Sequence, residues 1–186
     1  MSQPSQDAGV FQHAILSAIG SDRPGLVDEV SQFIFHRGGN IEDSRMVNLG
    51  GQFAMMVLIG GAPEVVKRIS TDIPELARSS RLHTEVHAAG SRQESAGQKA
   101  RPFRLTATAM DQSGLVHRIA HLLHSAKVNI ESLDTRLSAA PYSGSPVFEM
   151  ELILLIPQTT PIAALRENLG RLCDELNIDW ELKEEK

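Results

Sequence analysis

One stretch of this chain occurs twice, and this duplication constrains the fold more than any other feature. Residues 20–42 read GSDRPGLVDEVSQFIFHRGGNIE, and residues 109–131, displaced by 89 positions, read AMDQSGLVHRIAHLLHSAKVNIE. Aligned without gaps over residues 14–47, nine of the 34 positions are identical. Chance at average composition gives roughly two or three identities, so we interpret the pattern as a true internal repeat. A chain of 186 residues is then predicted to contain two small domains.

The composition argues against nucleic-acid and membrane binding. The formal net charge is -5 without any run of Lys or Arg, whereas DNA-binding proteins carry basic patches that neutralise phosphates. No apolar stretch approaches 18 residues, and the amino end lacks the pattern of a signal peptide. The single cysteine, Cys173, cannot form an internal disulfide and is expected to be a buried small hydrophobe. We therefore expect a cytosolic protein without a membrane anchor and without direct DNA binding.

The spacing of apolar residues gives both repeats the same order of elements: strand, helix, strand, strand, helix, strand. This is the ferredoxin-like βαββαβ order of an α+β fold, in which an antiparallel sheet of four strands carries both helices on one face. We predict a flexible leader over residues 1–12, a first domain over 13–87, a linker over 88–101 and a second domain over 102–186. The linker prediction depends on its small, polar and unpatterned residues.

The individual elements follow from the same patterns. The first repeat is predicted to contain strands at 13–19, 41–48, 52–60 and 82–87, with helices at 26–37 and 63–79. The second repeat is predicted to contain strands at 103–109, 130–137, 147–156 and 178–182, with helices at 115–126 and 162–177. Gly50 and Gly51 predict a tight hairpin turn. Pro74 is expected to kink its helix or to end it early.

Both repeats place an Asp-x-x-Gly-Leu-Val motif between the first strand and the first helix. We expect Asp22 and Asp111 to cap the helix by accepting a backbone N–H, and Gly25 and Gly114 to let the backbone pass close to a neighbour. The helix dipole and the exposed N–H groups of such a mouth favour a carboxylate. The other shared element, Asn-Ile-Glu, follows the helix and opens the second strand. Its placement beside the Asp loop is expected to need a partner domain.

These residues resemble the ACT domain, a small regulatory module with the same order of strands and helices. GSDRPGLV and GGNIE match its D-x-P-G-hydrophobic loop and its G-x-N-I turn, and MDQSGLV and KVNIE match them less completely. The second repeat lacks the proline, since Gln112 and Ser113 replace Arg23 and Pro24. Two copies without a catalytic domain resemble the family of glycine cleavage system transcriptional repressors. The resemblance covers residues 13–87 and 103–182.

The resemblance implies that a free amino acid, glycine or serine, binds at interfaces between ACT domains. Its carboxylate would face the backbone around the motif glycines, and the Asp and Asn side chains of the two motifs would contact it. The implied ligand-binding residues are Asp22, Pro24, Gly25, Leu26, Asn40, Ile41, Asp111, Gly114, Leu115, Asn129 and Ile130. No catalytic residue, metal ligand or cofactor is expected.

The same residues have structural interpretations that compete with binding. The aspartates can be helix caps only, the glycines can serve a tight turn, and the asparagines can occupy a left-handed turn. His117, His121 and His124 share a helical stripe with zinc-ligand spacing, which we interpret as a solvated face. Glu149 and Glu151 alternate outward on one strand, where a solvated face competes with an acid and base pair.

The leading hypothesis is a non-enzymatic regulator in which amino-acid binding alters a surface offered to a protein partner, such as a transcription activator of amino-acid metabolism. A ligand-free protein-interaction module is the alternative. RNA binding ranks lower, because it needs exposed aromatic residues and only Phe53 and Phe148 lie on the central strands. An enzyme also ranks low, because no nucleophile with a base is found. Apolar open sheet faces and edge strands favour pairing of domains, within a chain or in a homodimer.

Overall fold

The structure, a computed structural model, describes residues 12–89, 100–140 and 144–185. The chain forms two compact units, one ending at residue 94 and the other beginning at residue 95. We call residues 12–89 the first unit and residues 100–185 the second unit. Nearly all of the predicted leader and most of the predicted linker lie outside the described residues.

The first unit is an antiparallel sheet with two helices on one face. It consists of β1 (Gln12–Ser21), α1 (Leu26–His36), β2 (Asn40–Leu49), β3 (Gln52–Gly61), α2 (Pro63–Ser80) and β4 (His83–Ala88). The strands are arranged in the order β2-β3-β1-β4, and every neighbouring pair is antiparallel. The hairpin between β2 and β3 turns through Gly50 and Gly51, both with positive φ, as predicted.

The second unit repeats this architecture. It consists of β5 (Ala100–Met110), α3 (Leu115–Ser125), β6 (Asn129–Ala139), β7 (Pro146–Pro157), α4 (Ile162–Leu176) and β8 (Asp179–Glu184). Its strand order is β6-β7-β5-β8, which is equivalent to the order in the first unit. The predicted α+β class and the βαββαβ order are therefore confirmed in both units.

Alternation along the central strands separates two faces of each sheet. In β1, Leu16 and its inward neighbours are buried beneath the helices, where α1 contributes Val30 and α2 contributes Ile69. Leu105, Ile119 and the other inward residues of the second unit form an equivalent core. The opposite face of each sheet is covered by no helix of its own unit, and we call it the open face.

Residues in the left-handed region end the helices, as the sequence predicts for the first of them. After α1, Gly38 has a φ of 83°, and Gly39 N–H donates to the Ile34 carbonyl at 3.1 Å. After α3, Lys127 takes the same position with a φ of 57°, and Val128 N–H donates to the Leu123 carbonyl at 2.9 Å. Both ends are Schellman motifs, and only the first uses the glycine that this conformation favours.

Pro74 does not end α2, which was one of the two outcomes that we expected. The helix continues past it to Ser80. The proline is exposed, while Ile69 before it and Leu76 after it are buried in the core. Burial of apolar side chains on both sides of the proline offsets the lost backbone hydrogen bond.

Strand β5 begins inside the predicted linker. Ala100 and Arg101 pair with Pro157 and Ile156 of β7, and Arg101 forms an ion pair with Glu184. The start of β5 could not be predicted from its own small and polar residues, because it is a strand only through pairing with the distant β7. In the ranges that the structure describes, no helix has both the length and the apolar content to cross a membrane.

Candidate functional site

The mouth of α1 is built by a glycine and not by an aspartate cap. Gly25 is the N-cap residue with a φ of 93°, and Glu29 N–H donates to its carbonyl at 2.9 Å. No side chain caps this helix end. The prediction that Asp22 caps the helix is therefore wrong, because the left-handed turn at Gly25 separates the aspartate from the first helical N–H groups. The mouth retains its positive dipole end without a side-chain acceptor.

Asp22 is held by the neighbouring hairpin instead. Its backbone N–H donates to the Gly51 carbonyl at 3.0 Å, and its Oδ2 accepts a hydrogen bond from Nδ2 of Asn48 near the end of β2. The carboxylate remains exposed. Sequence reasoning missed Asn48, since the strand register that brings it beside Asp22 is set by the Gly50–Gly51 turn.

Arg23 fastens the loop to both helices. Its guanidinium donates two hydrogen bonds to the Glu29 carboxylate, at 2.6 and 2.8 Å, and a third to the Ser80 carbonyl at 3.2 Å. The hydrogen bonds from Arg23 hold the pKa of Glu29 below its usual value. The arginine thus fixes the loop and forms an ion pair with a carboxylate of the first turn of α1.

The loop of the second unit has the same backbone turn with different side chains. Gly114 has a φ of 91° at the start of α3, again without a side-chain cap. Gln112 donates to the Leu176 carbonyl at 2.9 Å, which is the contact that Arg23 makes with the end of the second helix in the first unit. Arg118 stands at the position of Glu29 and donates to Glu175 at 2.8 Å. The charge beside the second mouth is therefore inverted.

Asp111 differs from Asp22 in its surroundings. Its backbone N–H donates to the Pro146 carbonyl at 3.1 Å, as the equivalent bond does in the first unit. Leu137 occupies the position of Asn48, so the amide that engages Asp22 has no counterpart in the second unit. In the part of the chain that the structure describes, no side chain hydrogen-bonds to Asp111. Like Asp22, it does not cap its helix.

The two asparagines lie at the far ends of their sheets. Asn40 begins β2 and pairs with Gly60, whereas Asn48, which contacts Asp22, pairs with Phe53 at the other end. Asn40 and Asn48 are eight residues apart along β2, which corresponds to about 26 Å. Asn129 begins β6 in the same way. Neither occupies the left-handed turn, which falls on Gly38 and Lys127. Within a unit, the Asp loop and the motif Asn cannot contact one small ligand.

The apolar members of the predicted site belong mainly to the cores. The side chains of Leu26 and Leu115 are 1% and 3% exposed, so these residues can reach a ligand only through their backbone N–H groups. Ile41 and Ile130 are partly buried and pack against the same cores. Pro24 is exposed in the loop, where its ring fixes the backbone before Gly25.

A shallow depression lies beside the first loop. It is lined by Ser21, Asp22, Arg23 and by Ser79, Ser80 and Arg81 at the end of α2. One carboxylate and two guanidinium groups thus surround a surface hollow next to the predicted residue Asp22. Arg81 was not predicted, because its place depends on where α2 ends.

The other candidate groups from the sequence are the α3 histidines, Cys173 and the two glutamates of β7. His117, His121 and His124 are exposed along α3, and nowhere in the described ranges do three His, Cys, Asp or Glu side chains come together as a metal site. Cys173 is buried, and burial raises the pKa of its thiol to about 11. Glu149 and Glu151 are exposed on the open face of β7.

The condition for RNA binding is not met on the central strands. Phe53 faces the helices and is 2% exposed, and Phe148 is partly buried against the second core. Neither ring is presented on an open face, where stacking with bases would require it.

Comparison with known proteins matches the architecture. A family model described as the ACT domain matches residues 12–87. A crystal structure of a protein of unknown function from Galdieria sulphuraria is 26% identical, with a TM-score of 0.78 over 95% of this chain and 99% of that chain. A crystal structure of a candidate glycine cleavage system transcriptional repressor, at 24% identity, has a TM-score of 0.68 and covers 96% of this chain and 99% of that chain. The latter likeness concerns the fold.

The first repeat matches the ACT domain, and the second repeat has the same element order and strand order. Among curated proteins the chain is similar to the glycine cleavage system transcriptional repressor of Escherichia coli (strain K12). The two sequences are 23% identical over 165 residues, which is 89% of this chain and 86% of that protein. The resemblance stated from the motifs is thereby confirmed.

Proposed function

We propose that this chain is a regulatory protein that binds a free amino acid, glycine or serine, through its ACT domains and thereby controls a protein partner. The observation that carries this proposal is the first loop. It presents an exposed carboxylate, Asp22, next to a helix mouth that no side chain caps. Similarity to a transcriptional repressor over most of both chains supports a regulatory role.

The two charges of an amino acid match the two groups of the loop. Its carboxylate would accept hydrogen bonds from the backbone N–H groups after Gly25, at the positive end of the α1 dipole. Its ammonium group would donate to Asp22, where Asn48 already engages one oxygen and leaves Oδ1 for the ligand. Glycine or serine is proposed because the named relative regulates glycine cleavage.

The bonds of Arg23 favour binding in two ways. Because Glu29 and the Ser80 carbonyl hold the arginine, the loop is ordered before the ligand arrives, and less conformational entropy is lost on binding. Because Arg23 forms an ion pair with Glu29, this carboxylate repels the ligand carboxylate less.

We propose that the motif asparagine of a different ACT domain completes the site. A ligand bound at an Asp loop lies too far from the asparagine of the same unit, so Asn40 or Asn129 would contact a ligand held by another domain. Binding would then stabilise one arrangement of domains. Control of a partner follows only if the partner-bound and free states differ in amino-acid affinity.

Thermal unfolding of the full chain with each common amino acid at millimolar concentration tests the proposal. A ligand at a hundred times its Kd that binds only the native state adds about 2.7 kcal/mol, which raises Tm. Glycine or serine should raise Tm, and Asp22→Asn or Asn40→Ala should remove the effect. Asp111→Asn is the matched variant in the second loop. The proposal is refuted if no amino acid raises Tm, or if the shift persists in both Asp22→Asn and Asn40→Ala.

Control of a partner needs its own measurement. Pull-down with the purified chain from an extract of its source cells should recover a transcription regulator, with a yield that changes on adding the effective amino acid. Equal recovery with and without the amino acid would contradict ligand control, and it would favour the ligand-free interaction module.

A further inference from the structure

The open face of the first unit is apolar. Ile19, Val47, Leu49 and Met56 are each more than half exposed, at 52%, 52%, 75% and 55%. The register places these side chains on one surface with the partly buried Leu58, since Met56 and Leu58 alternate on β3 away from the core. A group of exposed apolar side chains of this kind marks an interaction surface.

The duplication supplies an internal comparison for this surface. In the second unit, the positions of Val47 and Met56 are occupied by Arg136 and Glu151, in the equivalent strand register. Arg104 on the same open face forms an ion pair with Glu151. The same fold therefore exists with a charged open face, so the scaffold does not require the apolar one.

We propose that the open face of the first unit packs against the same face of a second copy of this chain, around a two-fold axis that runs parallel to the strands. The charges at the two edges of the sheet specify this occupant. They lie in rows that cross the sheet, and in two neighbouring rows an acidic side chain at one edge stands across from a basic or imidazole side chain at the other.

The first row joins Arg45 on β2, Met56 on β3, Ser17 on β1 and Glu85 on β4. It is positive at one edge and negative at the other, with an apolar and a small uncharged side chain between them. Three strand spacings separate Arg45 from Glu85, or about 14 Å, so the two cannot pair within one copy.

The neighbouring row has its acidic residue at the opposite edge, on β2, and a histidine on β4. It joins Asp43, Leu58, Ile15 and His87 in the same strand order. The β2 edge thus carries Asp43 next to Arg45, and the β4 edge carries His87 next to Glu85. In the single copy, Arg45 pairs with Asp43 along its own edge, and the Glu85 carboxylate contacts the imidazoles of both His83 and His87.

A two-fold axis parallel to the strands places the β2 edge of one copy over the β4 edge of the other. Each row then faces itself reversed, so Arg45 lies opposite Glu85 and Asp43 lies opposite His87, twice in the dimer. The surface is therefore complementary to itself in charge as well as in its apolar centre. Such pairs at the rim set the orientation of a dimer, while apolar burial supplies most of the affinity.

The size of the face is sufficient for a dimer. Four strands at about 4.8 Å and ten residues at ~3.3 Å give a face of about 600 Å², or about 1,200 Å² for two copies. That value reaches the lower limit for specific protein interfaces. Packing of two sheets face to face, with strands within about 30° of each other, is a common arrangement.

Sedimentation velocity of the full chain from 1 to 100 µM tests the proposal. The chain should be a dimer, with or without amino acids. Met56→Glu, which introduces the residue of the second unit, should raise the dimer Kd at least about 100-fold by burying a carboxylate at the apolar centre of the interface. Phe35→Glu is the matched control, because Phe35 is 74% exposed on α1, away from the open face. It should leave the Kd unchanged.

Charge exchange tests the axis. Arg45→Glu and Glu85→Arg should each weaken the dimer, because like charges then face each other at two places. An equimolar mixture of the two variants should restore dimerisation, since every contact in the mixed dimer is again between opposite charges. The double variant Arg45→Glu, Glu85→Arg should dimerise alone for the same reason.

Three results would overturn the proposal: a monomer at 100 µM, a dimer that Met56→Glu does not weaken, or a mixture that associates no better than its components. Circular dichroism of each variant checks that it is folded. A monomer would leave the open face to a different protein, and persistence of the dimer in Met56→Glu would assign the contact to another surface.

Discussion

Replacing Gly114 with alanine should destabilise the second unit by about 1–2 kcal/mol. Gly114 has a φ of 91°, and no neighbouring atom lies within 4 Å of the position that a Cβ would take. The cost is therefore backbone strain in the left-handed region, about 1–2 kcal/mol for an L-residue, without a steric clash. Gly25 is equivalent. Its φ is 93°, and a Cβ at this position would have only Glu29 Oε1 within 4 Å, at 3.9 Å.

The effect is large enough to measure in the intact chain. For a unit of this size, each 1 kcal/mol lowers Tm by about 4–8 °C, so the unit that carries the substitution should unfold first in a calorimetric scan. Urea unfolding gives the change in free energy directly. Ser113→Ala is the control, because it changes the exposed neighbour of Gly114 without altering the turn, and it should shift stability by less than about 0.5 kcal/mol.

The result separates two reasons for a glycine at this position of both repeats. A loss near the expected value shows that the turn itself requires glycine, whether or not a ligand binds. A loss below about 0.5 kcal/mol for both Gly25→Ala and Gly114→Ala would refute the strain argument. The close approach of a ligand would then be the remaining reason for the absence of a side chain.

Three further predictions concern single residues. Lys127→Gly should stabilise the second unit by about 1 kcal/mol in urea unfolding, because Lys127 has a φ of 57° where the first unit has Gly38, and a decrease would contradict this. Cys173 should resist iodoacetamide at pH 8 unless the chain is unfolded. Since burial raises its pKa to about 11 and the unfolded thiol ionises near 8.5, stability should fall as pH rises between these values, and a Cys173→Ala variant should lack that contribution. Arg23→Ala should raise the pKa of Glu29 toward its usual value in a carboxyl NMR titration, and an unchanged titration would show that the hydrogen bonds do not hold it.

Most of the fold could be predicted from the sequence because its signals are local. The spacing of Leu26, Val30 and Ile34 defines α1, and Gly50–Gly51 defines a hairpin, without knowledge of distant residues. Because the repeat has the same element order, the helical pattern is found a second time in the second unit. The errors occur where a distant element decides the outcome. Buried residues before and after Pro74 keep α2 helical to Ser80. Pairing with β7 makes β5 begin at Ala100.

The candidate site was predictable only in part. The motif identified the loops and their left-handed glycines, but it did not reveal that Asp22 is bound by Asn48, or that Arg23 is bound by Glu29 and the end of α2. These contacts join residues from different elements, and their formation depends on register and helix length. The aspartate cap was predicted from spacing alone. In the structure, the turn at Gly25 places the Asp22 carboxylate too far from the first backbone N–H groups of α1 to cap them.

The unit with the apolar open face is synthesised before the second unit. A domain of this size can fold on the ribosome while the next one is still being made, so Ile19, Met56 and their neighbours are exposed before the second unit exists. Nascent chains on neighbouring ribosomes of one messenger would meet through this face at high local concentration. Assembly during translation would cover the surface before release, and it would favour partners made from the same messenger.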